Sequence, residues 1–308
     1  MSGVCISTIC SADYFAYYIP TFLYSIALAY PECDTKIFVR GVLPKGVKDC
    51  LELLPETYKN YTIYENYRMN CPTRESTCNT LRHLISAKYY KGYKYVFVTD
   101  VDFVFVRQGL PFYEYFANRI KKTRQPYASF RGPMRMPPRP EINRDFWTGN
   151  YTRIADGNLM LKNPSWFERT RKARRYYLKK VMGGKHDKLD CHPSCSYREY
   201  NEVMLYRMCR MSGIKTPWKK DKFVDNRKFN FSYRQIHLGD FKFKDRFPVK
   251  RKMKKFLTKC NFEKFLELDE SEDWQALCEK VYEHCPRMKK ILERTRKYGR
   301  VVLDGGVG

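Results

Sequence analysis

The apolar run Val4–Cys10 ends in small polar residues and predicts a first buried strand. Asp13–Tyr30 carries apolar and aromatic residues at helical spacing, with Pro20 in its first half marking a kink or a later start. Thr35–Arg40 predicts a second strand, Gly46–Leu54 a short helix and Tyr61–Tyr64 a third strand. Thr77–Tyr90 reads as a helix that leads into Tyr93–Val106, an apolar, β-branched and aromatic run with the signature of a buried strand. This alternation predicts an α/β fold with a mainly parallel sheet flanked by helices. Ligands of such sheets bind beyond the carboxyl ends of the strands.

The second half is less regular. Ala128–Phe130 is a short strand, and Arg131–Asn150, with four prolines and several arginines, reads as a long basic loop. Arg153–Leu161 predicts a strand, Trp166–Val181 a strongly basic helix, Lys185–Ser196 a polar loop and Tyr197–Ser212 a helix. Arg234–Asp240 closes the sheet region. Beyond Phe241 come Lys242, Lys244, Arg246, Lys250, Arg251, Lys252, Lys254 and Lys255, then helical patterns at Asp273–His284 and Arg287–Lys297 and a Gly-rich tail that reads as disordered. The expected organisation is a catalytic domain over 1–245 and a basic helical extension over 246–308. There is no internal repeat.

Charge changes the picture most. The 308-residue chain has 59 Lys+Arg against 33 Asp+Glu, a net charge of +26. Such an excess implies attraction to polyanions: nucleic acid, an anionic membrane or acidic glycans. The basic regions Arg131–Arg144, Arg169–Lys180 and Lys242–Lys255 are interleaved with aromatics, which suits nucleic acid and an anionic membrane surface alike. There are 12 cysteines but no secretory leader, so mostly free thiols in a reducing, cytoplasmic setting are expected, peripheral to a membrane or associated with DNA. No apolar run is long enough for a membrane span.

The sharpest chemical signal is Asp100-Val101-Asp102. Two carboxylates inside an apolar run are costly to bury unless a cation meets them. On a strand, residues i and i+2 share a face, so both acids can converge on one hard cation, Mn²⁺ or Mg²⁺, with room for phosphate oxygens. A second signal is His237-Leu238-Gly239-Asp240-Phe241-Lys242. His237 offers a third ligand, Gly239 permits close backbone approach to a phosphate, and Lys242 can neutralise diphosphate oxygens. His186, Cys191, His192, Cys195 and Cys209 form a separate cluster. A structural Zn²⁺ at Cys191/Cys195 is not favoured there, because the spacing lacks the Cys-X2-Cys pairs of strong zinc patterns.

The order of these features resembles the GT-A-type glycosyltransferases, and most closely the glycogenin and lipopolysaccharide galactosyltransferase family. The residues that carry the resemblance are the Val4–Val39 opening, Arg82 on the helix before the acidic strand, Asp100/Asp102, Ala155-Asp156-Gly157-Asn158 and His237–Lys242, over roughly residues 3–245. The chain departs from the family in reading Ala-Asp-Gly-Asn at its small-residue strand and in lacking Pro-Trp after the terminal element. The resemblance implies a GT-A-like, Rossmann-like fold and a nucleotide-sugar donor, a UDP-sugar foremost. It implies Mn²⁺ or Mg²⁺ on Asp100, Asp102 and His237, with Lys242 steadying the departing nucleoside diphosphate. It places Arg82 against Asp100 or the phosphates, Thr8 near the nucleoside, Asp156 near a reacting sugar, and Asn201 and Glu202 as a polar pair beside it. It also favours retention of the anomeric configuration.

Two acceptors fit. One is a glycan or glycolipid at an anionic surface. The other is a modified base of DNA, as in viral DNA glucosylation, which accounts for the charge more directly. A non-catalytic nucleic-acid-binding protein is the rival from another class. A nucleotidyltransferase or phosphotransferase lacks support, because no GxxxxGK[ST] loop occurs.

Overall fold

The computed structural model describes residues 3–72, 77–107, 109–129, 133–136, 151–154, 157–184, 200–215, 235–241 and 259–304. Among the described residues ten strands form in chain order: β1 Val4–Ser11, β2 Asp34–Arg40, β3 Tyr61–Tyr64, β4 Tyr95–Thr99, β5 Phe103–Phe105, β6 Tyr127–Ser129, β7 Pro133–Met136, β8 Tyr151–Ile154, β9 Asn158–Lys162 and β10 Gln235–His237. The helices are α1 Ile19–Ala29, α2 Lys45–Leu51, α3 Thr77–Leu81, α4 Phe112–Thr123, α5 Ser165–Arg169, α6 Arg171–Met182, α7 Tyr200–Met211, α8 Lys259–Asp269, α9 Glu272–His284 and α10 Pro286–Leu303.

The main sheet has six strands in the order β3-β2-β1-β4-β9-β6. β1 pairs β4 in parallel, as β2 pairs β3, whereas β9 runs antiparallel to both β4 and β6. β4 and β6 therefore point the same way and β9 is reversed between them, giving the mainly parallel sheet that the alternation predicts.

The chain divides into two units, one of Met1–Ile9, Asn66–Thr99 and Tyr113–Asn226, the other of Cys10–Glu65, Asp100–Phe112 and Arg227–Gly308. In the first, β4 is apolar and buried at Val96, Phe97 and Val98, and Phe97 meets Phe116 of α4 at 5.7 Å between ring centroids. The Tyr90 hydroxyl and the Ser7 hydroxyl lie 2.6 Å apart, and Tyr90 packs on Phe167 of α5. Arg174 of α6 is buried yet meets backbone rather than a carboxylate. It donates from Nε to the His83 carbonyl at 3.2 Å and from Nη2 to the Ile85 carbonyl, beneath the Phe167 ring. Burial in that setting pushes its guanidinium down to about 10.

In the second unit, α1 is buried along nearly its whole length and packs on β5. Ser25 accepts from the Phe105 amide at 3.0 Å, and Tyr30, Phe105 and Phe112 form an aromatic cluster. The C-terminal helices belong to this unit. Tyr24 meets Trp274 of α9, and Arg296 of α10 grips the buried Asp269 through two hydrogen bonds.

Several segments depart from the sequence reading. Asp13–Tyr30 is a 3-10 turn over Tyr14–Tyr18 followed by α1, with Pro20 in its first turn. Proline lacks an amide hydrogen and is tolerated where the helix has no use for one. Thr77–Tyr90 is α3 followed by two 3-10 turns, Arg82–Leu84 and Ala87–Tyr90. The loop 131–150 contains β7, which pairs antiparallel with β8, and Arg153–Leu161 is split into β8 and β9. The ten cysteines among the described residues carry thiols rather than disulfides. Among the described residues no helix is long and apolar enough to cross a membrane.

Candidate functional site

Thr99 ends β4, and the chain then turns through Asp100-Val101-Asp102 before β5 begins at Phe103. The expected uninterrupted strand is thus broken at the acids. The physical reason is the one that made them conspicuous: carboxylates are too costly to hold in a two-sided apolar sheet, so the segment leaves it. The carboxylates converge by a turn rather than by strand alternation.

β5 brings the third group. It pairs antiparallel with β10, so that His237 lies opposite Phe103, and the two rings stack at 4.7 Å. The Leu238 amide donates to the Asp102 carbonyl at 2.8 Å, tying the turn to the segment after β10. His237 Nε2 stands 3.2 Å from Asp102 Oδ1. One ligand atom each from Asp100, Asp102 and His237 falls within 4.8 Å of the others. Asp102 is 6% exposed and Asp100 half-buried, so the cluster is backed by protein and open on one side.

Gly239 completes the arrangement. A Cβ there would lie 2.6 Å from Asp102 Oδ2 and 2.6 Å from His237 Nε2. Any other residue would crowd the tips of Asp102 and His237. Two carboxylates and an imidazole so placed suit a hard or borderline divalent ion.

Around this core, Phe103 and Tyr18 were not singled out from sequence. Phe103 fixes the imidazole plane by stacking. Tyr18 is fully buried; burial pushes its hydroxyl up, and the negative charge of Asp102 adds to that. Phe103 sits next to an acid in a run of aromatics, so nothing local sets it apart. The 3-10 segment 238–241 is braced from α10: Arg294 Nη1 donates to the Phe241 carbonyl at 3.3 Å, and Phe241 packs on Tyr298.

The other expected residues lie in the first unit. Thr8 is buried in β1, and its hydroxyl has no hydrogen-bond partner among the described residues. Arg82 is 5% exposed, with Nε donating to the Asn79 carbonyl at 3.1 Å, so it is no surface arginine. Asn201 and Glu202 stand in the first turn of α7, Asn201 buried and Glu202 half-buried. Asn158 accepts from the Thr99 hydroxyl at 3.1 Å and pins the end of β4 just before Asp100. Asp156, Lys242 and the Cys191/Cys195 pair lie outside the described residues.

No protein-family model matches the chain, and no curated protein sequence matches it. Among solved structures it is similar to an active-site mutant of LgtC, at 14% identity and a TM-score of 0.37, over 57% of this chain and 65% of that one. It is also similar to the galactosyltransferase LgtC in complex with donor and acceptor sugar analogs, at 12% identity and a TM-score of 0.35, over 70% of this chain and 98% of that one. A third is the mannosyltransferase Ktr4p from S. cerevisiae, at 9% identity and a TM-score of 0.40, over 66% of each chain. The chain spans just under two thirds of the LgtC mutant and of Ktr4p.

Proposed function

We propose that this protein is a metal-dependent glycosyltransferase that moves a sugar from a nucleotide-sugar donor to an acceptor held near a polyanion. One observation carries the reading: Asp100, Asp102 and His237 offer ligand atoms within 4.8 Å of one another, and Gly239 leaves room beside Asp102 and His237. In this reading the three residues would hold Mn²⁺ or Mg²⁺. The bound ion supplies positive charge that stabilises a departing nucleoside diphosphate. The chain's own contribution is to orient the ligands. Phe103 holds the imidazole face, the Leu238 amide holds the turn, and the glycine backbone leaves room for phosphate oxygens. Lys242 is proposed as a further cation for the diphosphate, Arg82 and Thr8 as donor-binding residues, and Asp156, Asn201 and Glu202 as the polar groups around the reacting sugar. Retention is the proposed stereochemical course.

The net charge of +26 supports a polyanion near the acceptor, whether a glycan or glycolipid at an anionic surface or a modified base of DNA. The second acceptor gains weight from one feature, the bare cationic face of α6.

The test is nucleoside diphosphate release from a panel of nucleotide sugars, with Mn²⁺ and after chelation. Slow release from one donor, abolished by the chelator, is the expected result. No release from any donor, with no donor bound in a calorimetric titration, would remove the transferase reading.

A further inference from the structure

Helix α6, Arg171-Lys-Ala-Arg-Arg-Tyr-Tyr-Leu-Lys-Lys-Val-Met182, has 12 residues and no acid, and six of them are Lys or Arg. Burial sorts them. Ala173, Arg174, Tyr177 and Val181 face inward. Arg171, Lys172, Arg175, Tyr176 and Lys179 are exposed. Those positions are spaced by one, three or four residues, so they form one face of the helix. Arg171, Lys172, Arg175 and Lys179 form no ion pair with any carboxylate among the described residues. Elsewhere in the chain exposed cations do find acids, as Lys264 does with Glu267 and Lys280 with Glu283.

Four like charges on one exposed face repel one another and together attract an anion to cover it. Its composition narrows the anion. A helix that lies in a membrane surface needs apolar side chains to insert beside its charges. The apolar side chains Ala173, Tyr177 and Val181 are turned into the protein. The outer side offers one exposed aromatic, Tyr176, 41% exposed, whose ring already carries the Lys180 ammonium 4.6 Å from its centroid, with Leu178 and Met182 half-buried beside the cations. Cations around a single exposed aromatic match a nucleic-acid strand, which presents phosphates together with base faces.

We infer that the exposed face of α6 binds the phosphate backbone of nucleic acid, through Arg171, Lys172, Arg175 and Lys179. Each of the four contacts releases a counterion, so together they contribute about 3 to 4 units to the log–log salt slope on a duplex. The inference concerns binding alone and stands whether or not the metal cluster transfers a sugar. If both hold, the acceptor is brought to the enzyme on a nucleic acid.

The test uses the full chain and a short fluorescein-labelled DNA duplex, read by anisotropy between about 50 and 200 mM salt. One variant carries R171Q, K172Q, R175Q and K179Q. A control removes the same number of exposed cations from α10, as K289Q, K290Q, K297Q and R300Q. The expected result is a loss of at least about 10-fold in affinity and a salt slope smaller by about 3 to 4 units for the α6 variant only. Equal losses in both variants would mean that net charge alone holds the DNA, and would overturn the inference. So would absence of DNA binding by the wild type, or α6-dependent binding to phosphatidylserine vesicles without binding to DNA. Thermal melting of both variants, and donor hydrolysis where present, separate loss of the face from loss of the fold.

Discussion

At Gly239 the site's geometry comes down to one missing carbon. A methyl group there would meet Asp102 Oδ2 and His237 Nε2, the tips of two side chains, rather than backbone. Those ends can swing aside, so the fold should tolerate Gly239→Ala while the ligands lose their alignment. The expected outcome is a melting temperature close to wild type and Mn²⁺ affinity lower by about 10-fold or more, measured by calorimetric titration. A variant that binds Mn²⁺ normally would mean that the space beside Gly239 is not where the ion sits. Asp100, Asp102, His237 and Gly239 were all legible in the sequence, because carboxylates in an apolar run and a His-X-Gly element are chemically conspicuous. Phe103 was not, since its role depends on the pairing of β5 with β10, residues far apart in the chain.

Among the elements, the helices that brace the site show two effects in opposition. Gly299 in α10 is a helical glycine, and alanine there would gain roughly 1 kcal/mol from propensity. Its Cβ would however lie 2.7 Å from the buried Phe262 ring of α8, and overpacking of this kind costs about 1–3 kcal/mol. The steric cost wins, and Gly299→Ala is expected to lower stability in urea unfolding by about 1 kcal/mol. Increased stability would show that α8 and α10 pack more loosely than described. In the first unit, Arg174→Met removes the donor to two carbonyls, and a loss of about 2 kcal/mol is expected by the same method. An unchanged midpoint would mean that water replaces the guanidinium without cost. The alternation from β1 to β4 could be read from periodicity, but α4 and α8 were missed. In α4 the inward residues Phe112, Phe116 and Ile120 recur only every fourth position in a polar background. In α8 the inward Phe262, Phe265 and Leu266 follow a long basic run that hides the start of the pattern.

For the molecule as a whole, its thiols and its charge give the broadest predictions. Of the ten cysteines described, Cys260 is exposed and Cys78 half-buried, and the rest are buried. Burial pushes the Cys50 thiol up to about 11 and the Cys278 thiol up to about 12. These groups keep their protons in the folded chain when the unfolded chain, with thiols near about 8.5, has begun to release them. Their contribution to stability is therefore complete below about 8.5 and falls as pH rises from there toward the folded values. Melting temperature should decline over that range, and less so when Cys278 is replaced by Ser or Ala than in the wild type. Alkylation at neutral pH, mapped by peptide mass spectrometry, should mark Cys260 first among the described cysteines, and rapid labelling of Cys209 or Cys278 would contradict the packing. The excess of positive charge was visible in composition, yet only the burial pattern of α6 shows which cations are turned outward together.

The measurement that bears most directly on the central claim is Mn²⁺ binding followed by electron paramagnetic resonance, in the wild type and in Asp102→Asn, with and without the donor that the panel identifies. The account predicts one bound ion in the wild type, a spectrum that changes when the donor is added, and loss of both binding and nucleoside diphosphate release in the variant while its melting curve persists. Equal Mn²⁺ binding by wild type and variant, or donor turnover that survives the substitution, would contradict it.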